Sequence, residues 1–397
     1  MHRALPLLRT ATPPSPLSFE PSELASELQA YGVRWMLEEG PGLSRAGGAG
    51  PSDHKAVQVG GHTVMVPILN HASASSPFSA EVDAAGKAQL FKGETWLTEL
   101  SFPAVPRFYE RQTADGIPYF KIATLHSNDV LATTVLQTCT RYGHRETSCQ
   151  FCAIGASLAR KATVAEKTPA QLAEVAQAAV ELDGVRHMVM TTGTPATSDR
   201  GARVLSDCAT AIRQAVDLPL QAQCEPPDDF SWFERLREAG VDSLGLHLEA
   251  VTERVRARIM PGKAEVPISA YLEAFEAAVD TFGWGQVSTY ILAGLGDTEE
   301  EILTMCRRLI GLGVYPFVVP FVPIKGTPLE YQPTPPAPLM ESLLSQLAHL
   351  LSEAGLSSQD IKAGCGRCGA CSTLRAREAG AMAMRERAST SREKIHA

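Results

Sequence analysis

Between residues 130 and 322 the spacing of apolar and polar positions switches repeatedly between two periods. Apolar, β-branched runs at 130–138, 187–192, 218–225, 243–249, 286–292 and 315–322 read as strands. The stretches between them carry helical spacing. Thr168, Pro169 and Gln171 supply an N-cap, a first-turn proline and a capping box. The stripe that follows runs through Leu172, Val175, Ala176 and Ala179, and Gly184 can end the helix. Further helices are expected over 201–215, over 230–239 and up to Phe282. A second capping box, Thr298 with Glu301, opens a helix with Ile302, Leu303, Cys306 and Leu309 on one face. Strand and helix in alternation predict parallel β/α units, an α/β protein.

The flanks read differently. Residues 1–54 are expected to be disordered or helical. The first 20 are rich in Pro and Ser, Leu24, Leu28 and Tyr31 mark a short amphipathic helix, and 40–52 is a glycine-rich mobile loop. Residues 55–127 predict a small β-rich lobe, with Gly60 and Gly61 at the turn of a hairpin over 57–66. The alternating units fill 128–332. Residues 333–374 hold a stiff Pro-rich linker, a helix over 339–354 and a cysteine cluster. The tail, 375–397, is basic with no clear apolar stripe, and a solvated helix or disorder is expected there.

Composition narrows the class. With 44 % apolar and 20 % charged residues, the 397-residue chain has the make-up of an ordinary soluble globular protein. A net charge of −8 gives no basic field for nucleic acid, and no apolar run is long enough to span a bilayer. Pro6 and Arg9 interrupt the first apolar run, so a signal peptide is not expected. Six of the nine cysteines fall into two tight clusters, which suits metal ligation in a reducing, cytoplasmic compartment better than disulfides.

The first cluster, Cys139, Cys149 and Cys152, directly follows the first predicted strand. Three thiolates in one loop suit an iron–sulfur cluster or zinc. A four-iron cube held by three cysteines keeps one iron open to a small molecule. The arrangement resembles the radical S-adenosylmethionine (SAM) superfamily, with Phe151 as the aromatic before the last cysteine, although nine residues rather than three separate the first two cysteines. The resemblance implies a partial (β/α)6 TIM-type barrel with a [4Fe-4S] cluster and SAM at its mouth. It implies reductive cleavage of SAM to a 5′-deoxyadenosyl radical, which abstracts hydrogen from a small-molecule substrate. An external one-electron reductant of the flavodoxin or ferredoxin type would serve it, with neither nucleic acid nor membrane as partner. The rival readings are an iron–sulfur electron-transfer or scaffold protein, and a zinc-dependent barrel lyase or hydrolase.

The resemblance also implies site residues. Thr192, Gly193 and Thr194 end the second strand where the family often has Gly-Gly-Glu to hold the methionine amino group. Gln221, Gln223 and Glu225 alternate along the third strand, so they share one face, and a ligand-facing role is favoured. Glu249 matches a position that contacts the ribose or amino group of SAM, and Arg256 or Arg258 could pair with its carboxylate. Gly294 opens a turn packed near adenine, and residues 319–329 resemble the sixth-strand end of biotin-synthase-like members. Lys121, His126 and Asp129 read as structural hydrogen-bond partners, His247 as a satisfied barrel histidine, and Cys208 and Cys306 as buried apolar groups. Lys263, within Met260-Pro-Gly-Lys, is given no nucleotide role.

Cys365, Cys368 and Cys371 have ferredoxin-like spacing without the fourth cysteine. They suit a second [4Fe-4S] cluster or zinc, the latter with Cys208, Cys224, Cys306 or a histidine as fourth ligand. Runs from about residue 55 to 375 are similar to one subfamily, the mycobacterial-type radical SAM proteins encoded in nitrilase-containing gene clusters.

Overall fold

The computed structural model describes residues 20–36 and 53–382. The expectations for residues 1–19, for the 40–52 loop and for 383–397 lie outside the described residues.

The central sheet has seven strands in the spatial order of the sequence. Six are parallel: Val130–Thr134, His187–Thr191, Leu220–Cys224, Ser243–Leu246, Val287–Ala293 and Val314–Pro320. Thr124–His126 pairs antiparallel at the open edge. Each parallel strand falls inside its predicted run or within a residue of it. Sequential order with helical crossovers curls the sheet into a partial barrel. The helices form where the boundary signals stand. Both capping boxes, at Thr168–Gln171 and Thr298–Glu301, are made in full, and Gly184 closes the first helix in the left-handed region.

The hairpin His54–Val59 with His62–Pro67 turns at Gly60 and Gly61 as expected. The helix Pro21–Tyr31 buries Leu24 and Leu28 but leaves Tyr31 half exposed. Arg34–Trp35 pairs with Phe78–Val82, so segments on both sides of residue 54 build the lobe's four-stranded sheet.

After the helix Ala337–Ala354 the chain returns beneath the barrel. Gln286 exchanges hydrogen bonds with the segment, its Nε2 donating to the Asp360 carbonyl at 2.9 Å and its Oε1 accepting from Lys362 N at 3.0 Å. Gly364 N donates to His187 Nδ1 at 3.1 Å and Cys365 N to Gln221 Oε1 at 3.2 Å. His187, Gln221 and Gln286 all stand where their strands begin, so this segment closes the N-terminal end of the barrel. The start of the tail corrects the solvated expectation. Residues 374–382 are helical, with Leu374, Glu378 and Ala381 buried. Glu378 accepts from the Tyr315 hydroxyl and from Ser358 N and Oγ at 2.9 and 2.8 Å.

Candidate functional site

The first cysteine loop sits at the C-terminal end of the first parallel strand and is tied to its neighbours. Thr140 N donates to the Thr194 carbonyl at 2.9 Å, Gln150 N to the Ile259 carbonyl at 2.7 Å, and Gly262 N to the Thr147 carbonyl at 3.2 Å. The nine-residue spacer folds on itself, with the Thr147 and Ser148 hydroxyls both donating to the Arg141 carbonyl at 2.9 Å. Arg141 reaches from the spacer to the Glu225 carboxylate. At Gly193 a Cβ would lie 2.0 Å from the Thr138 carbonyl oxygen, so only glycine lets the second strand end against this loop.

Cys149 and Phe151 lie against an apolar wall that includes Ala250, Met260, Leu295 and Phe321. Burial pushes the Cys149 thiol well up, with Glu249 adding to it, and pushes Cys152 to about 11. Such thiols ligate once a bound cation favours their thiolate form.

The rim residues come together, with changed partners. Thr194 Oγ1 donates to Glu225 Oε1 at 2.7 Å, and Arg200 stands 3.5 Å from Glu225 Oε2. The Thr192 hydroxyl donates to the Gly193 carbonyl at 2.8 Å. Glu249 holds a left-handed φ of 65°, a costly conformation for a non-glycine residue. Lys263 Nζ donates to its carboxylate at 2.8 Å. Burial opposes the lysine's charge, yet the nearby carboxylates of Glu249 and Glu225 hold it above its ordinary value. Lys263 is thus a partner of the rim that spacing within its own motif does not reveal. Gly294 lies in its turn against Pro335, and its carbonyl accepts from Gln332.

Arg256 corrects the expectation of a SAM-carboxylate partner. It is fully buried, donates to the carbonyls of Leu248, Lys263 and Val266 at 2.7, 3.2 and 2.9 Å, and lies over the Tyr271 ring. Arg258 is likewise engaged, donating to the Leu295 carbonyl at 2.8 Å. Gln221 and Gln223 face the barrel interior, but their side chains engage one another and the second triad. Gln223 Nε2 donates to Gln221 Oε1 at 2.7 Å and to Cys365 Sγ at 3.2 Å. Gln223 therefore serves the second triad.

Cys365, Cys368 and Cys371 line the floor of an interior cavity of about 260 Å3, with Glu249 and Thr191 above and Tyr290 and His247 between. His126 Nε2 lies 3.5 Å from Cys371 Sγ. Burial raises all three thiols, Cys368 to about 12. Lys121 and Asp129 act through their backbone carbonyls, which accept from Thr163 Oγ1 at 3.0 Å and Arg186 N at 2.9 Å. Cys208 and Cys306 are fully buried in helices, as expected. Among the described residues no three His, Cys, Asp or Glu side chains converge as tightly as a single metal ion requires.

The model of the radical SAM superfamily matches residues 137–309, from the first cysteine loop to the helix after the fifth strand. Among curated proteins, bacteriochlorophyllide c C-7(1)-hydroxylase of Chlorobaculum limnaeum is 32% identical over 136 residues, 34% of each chain. Lipoyl synthase of Marinobacter nauticus is 29% identical over 172 residues, 42% of this chain and 47% of the other. A probable dual-specificity RNA methyltransferase of Moorella thermoacetica is 28% identical over 144 residues, 34% of this chain and 39% of the other. The chain spans a third to a half of the length of these relatives. Among solved structures, methylornithine synthase aligns with a TM-score of 0.44 and 16% identity, covering 62% of this chain and 68% of that one. No helix among the described residues is long and apolar enough to cross a membrane. Residues 137–309, which hold the first cysteine loop and the rim residues from Thr192 to Gly294, are thus similar to the radical SAM superfamily.

Proposed function

We propose that the protein is a radical SAM enzyme acting on a small molecule held inside the barrel, between Cys139, Cys149 and Cys152 at one end and Cys365, Cys368 and Cys371 at the other. The observation that carries this reading is the cavity floored by the second triad and reaching Glu249 at the rim. When bound, a [4Fe-4S] cluster with SAM at its open iron supplies the electron that splits SAM into methionine and a radical able to take hydrogen from substrate.

The chain's own residues orient and enclose. Arg141 and Thr194 fix Glu225, and Lys263 fixes Glu249, so two oriented carboxylates face the mouth to receive the ammonium or ribose of SAM. Phe151, Leu295 and Phe321 exclude water from the iron side. Gln223 and His126 hold the sulfurs of Cys365 and Cys371. The ferredoxin-like spacing of Cys365, Cys368 and Cys371 favours a second [4Fe-4S] cluster there over zinc. An external flavodoxin- or ferredoxin-type donor supplies the electron.

The test is electron paramagnetic resonance of the reduced, anaerobically reconstituted protein. SAM addition is expected to change the spectrum of one cluster in the parent and to have no effect in Cys149→Ala. A parent spectrum indifferent to SAM would favour an electron-transfer protein.

A further inference from the structure

His247 stands just past the fourth parallel strand, on the wall of the cavity floored by the second triad. Its Nδ1 accepts a hydrogen bond from the Tyr290 backbone N–H at 3.2 Å. A backbone N–H can only donate, so Nδ1 is bare and the neutral ring carries its proton on Nε2. The ring stays neutral because burial, with Lys263 nearby, pulls it down to about 3. Nε2 is buried and has no protein partner among the described residues.

The ring is also held in place. It stands edge to face on Tyr290 with centroids 4.9 Å apart. A Cβ on Gly245 would lie 2.9 Å from its Cε1, so the glycine gives the imidazole its room. Metal ligation through Nε2 would require a bare nitrogen there and a proton on Nδ1, which the Tyr290 N–H opposes. Gln223 is engaged with Gln221 and Cys365, and Glu249 with Lys263; His126, whose Nε2 lies at Cys371, leaves its buried Nδ1 as the other unpartnered ring nitrogen of the wall among the described residues. A buried donor without a partner costs free energy until an acceptor reaches it.

We propose that His247 is a substrate-binding residue, donating its Nε2–H to a carboxylate or carbonyl oxygen of a small substrate seated between the two triads. The chemistry done on that substrate rests on the radical SAM reading; the binding does not. The cavity volume limits the substrate to a small molecule, and the donor selects an acceptor-bearing group over an ammonium.

The test is nitrogen-15 NMR of the anaerobic, cluster-loaded full chain with labelled histidines, titrated with acetate, acetamide and ethylammonium. One histidine, absent from His247→Phe, is expected to show the neutral Nε2–H pattern. Its proton should shift with acetate or acetamide and not with ethylammonium; the larger response distinguishes carboxylate from carbonyl. His247→Phe should weaken probe binding about tenfold, and His247→Gln, which keeps an N–H donor, should restore part of it. An Nδ1–H or cationic pattern, an unmoved His247 signal, or equal probe binding by parent and His247→Phe would overturn the proposal. Failure of the same loaded protein both to bind SAM and to cleave it with candidate small substrates present would defeat the enzyme reading and leave this result standing.

Discussion

A fully buried guanidinium needs acceptors, and Arg256 finds three backbone carbonyls within one turn-rich segment. It clasps the end of the fourth strand to the loop that carries Lys263. Arg256→Met is expected to destabilise the protein by about 3 kcal/mol in urea unfolding, because the carbonyls lose their donors in a dry site. SAM affinity of the folded variant should change little, whereas a SAM-carboxylate partner would lose most of it. His187 makes a pH prediction. Burial lowers it to about 3, so the folded state binds its proton less readily than the unfolded chain, whose value is near 6.5. Its contribution is present above about pH 6.5 and is lost as pH falls toward 3, by about 1 kcal/mol per unit. Urea midpoints at pH 7, 6 and 5 should fall in the parent and fall less in His187→Asn. Residue roles were the least legible level of the sequence. Alternation put Gln223 on the inward face correctly, but nothing local says which end of the barrel it serves. Arg256 and Lys263 are set by partners far along the chain or by burial, which spacing does not encode.

At the scale of elements, local signals and tertiary outcome agree where the physics is local. Thr168–Gln171 and Thr298–Glu301 satisfy helix-end donors with neighbours three residues away, and those helices start where the letters say. The segment beneath the barrel is the opposite case. Its hydrogen bonds run to His187, Gln221 and Gln286, each set by long-range pairing. Gly364 carries the closure: its φ is 113°, and a Cβ there would lie 2.2 Å from Gln221. Gly364→Ala is expected to cost about 2 kcal/mol and to loosen the second triad. Iron and sulfide analysis should show loss at the second centre with the first retained. Equal loss from both would mean that the segment supports the whole barrel rather than its floor.

For the molecule as a whole, the first triad sits at the C-terminal ends of the strands and the second floors a cavity inside the barrel that reaches Glu249. The upper loop is tied to the strand ends; the lower one is tied to the β-rich lobe as well, where Met65 N and Gln29 Nε2 donate to the Ala370 carbonyl at 2.8 and 3.1 Å. The lobe therefore braces the second triad. Legible in the chain were the parallel units and both cysteine groups; the place of the second group inside the barrel emerges only when the C-terminal segment folds under the strands. The central claim is that the upper triad supports reductive cleavage of SAM. The most direct measurement is 5′-deoxyadenosine formation by dithionite-reduced, cluster-loaded protein, run beside Cys149→Ala. The account predicts product from the parent and none from the variant. A fully loaded parent that neither binds SAM nor forms 5′-deoxyadenosine with candidate small substrates present would contradict it.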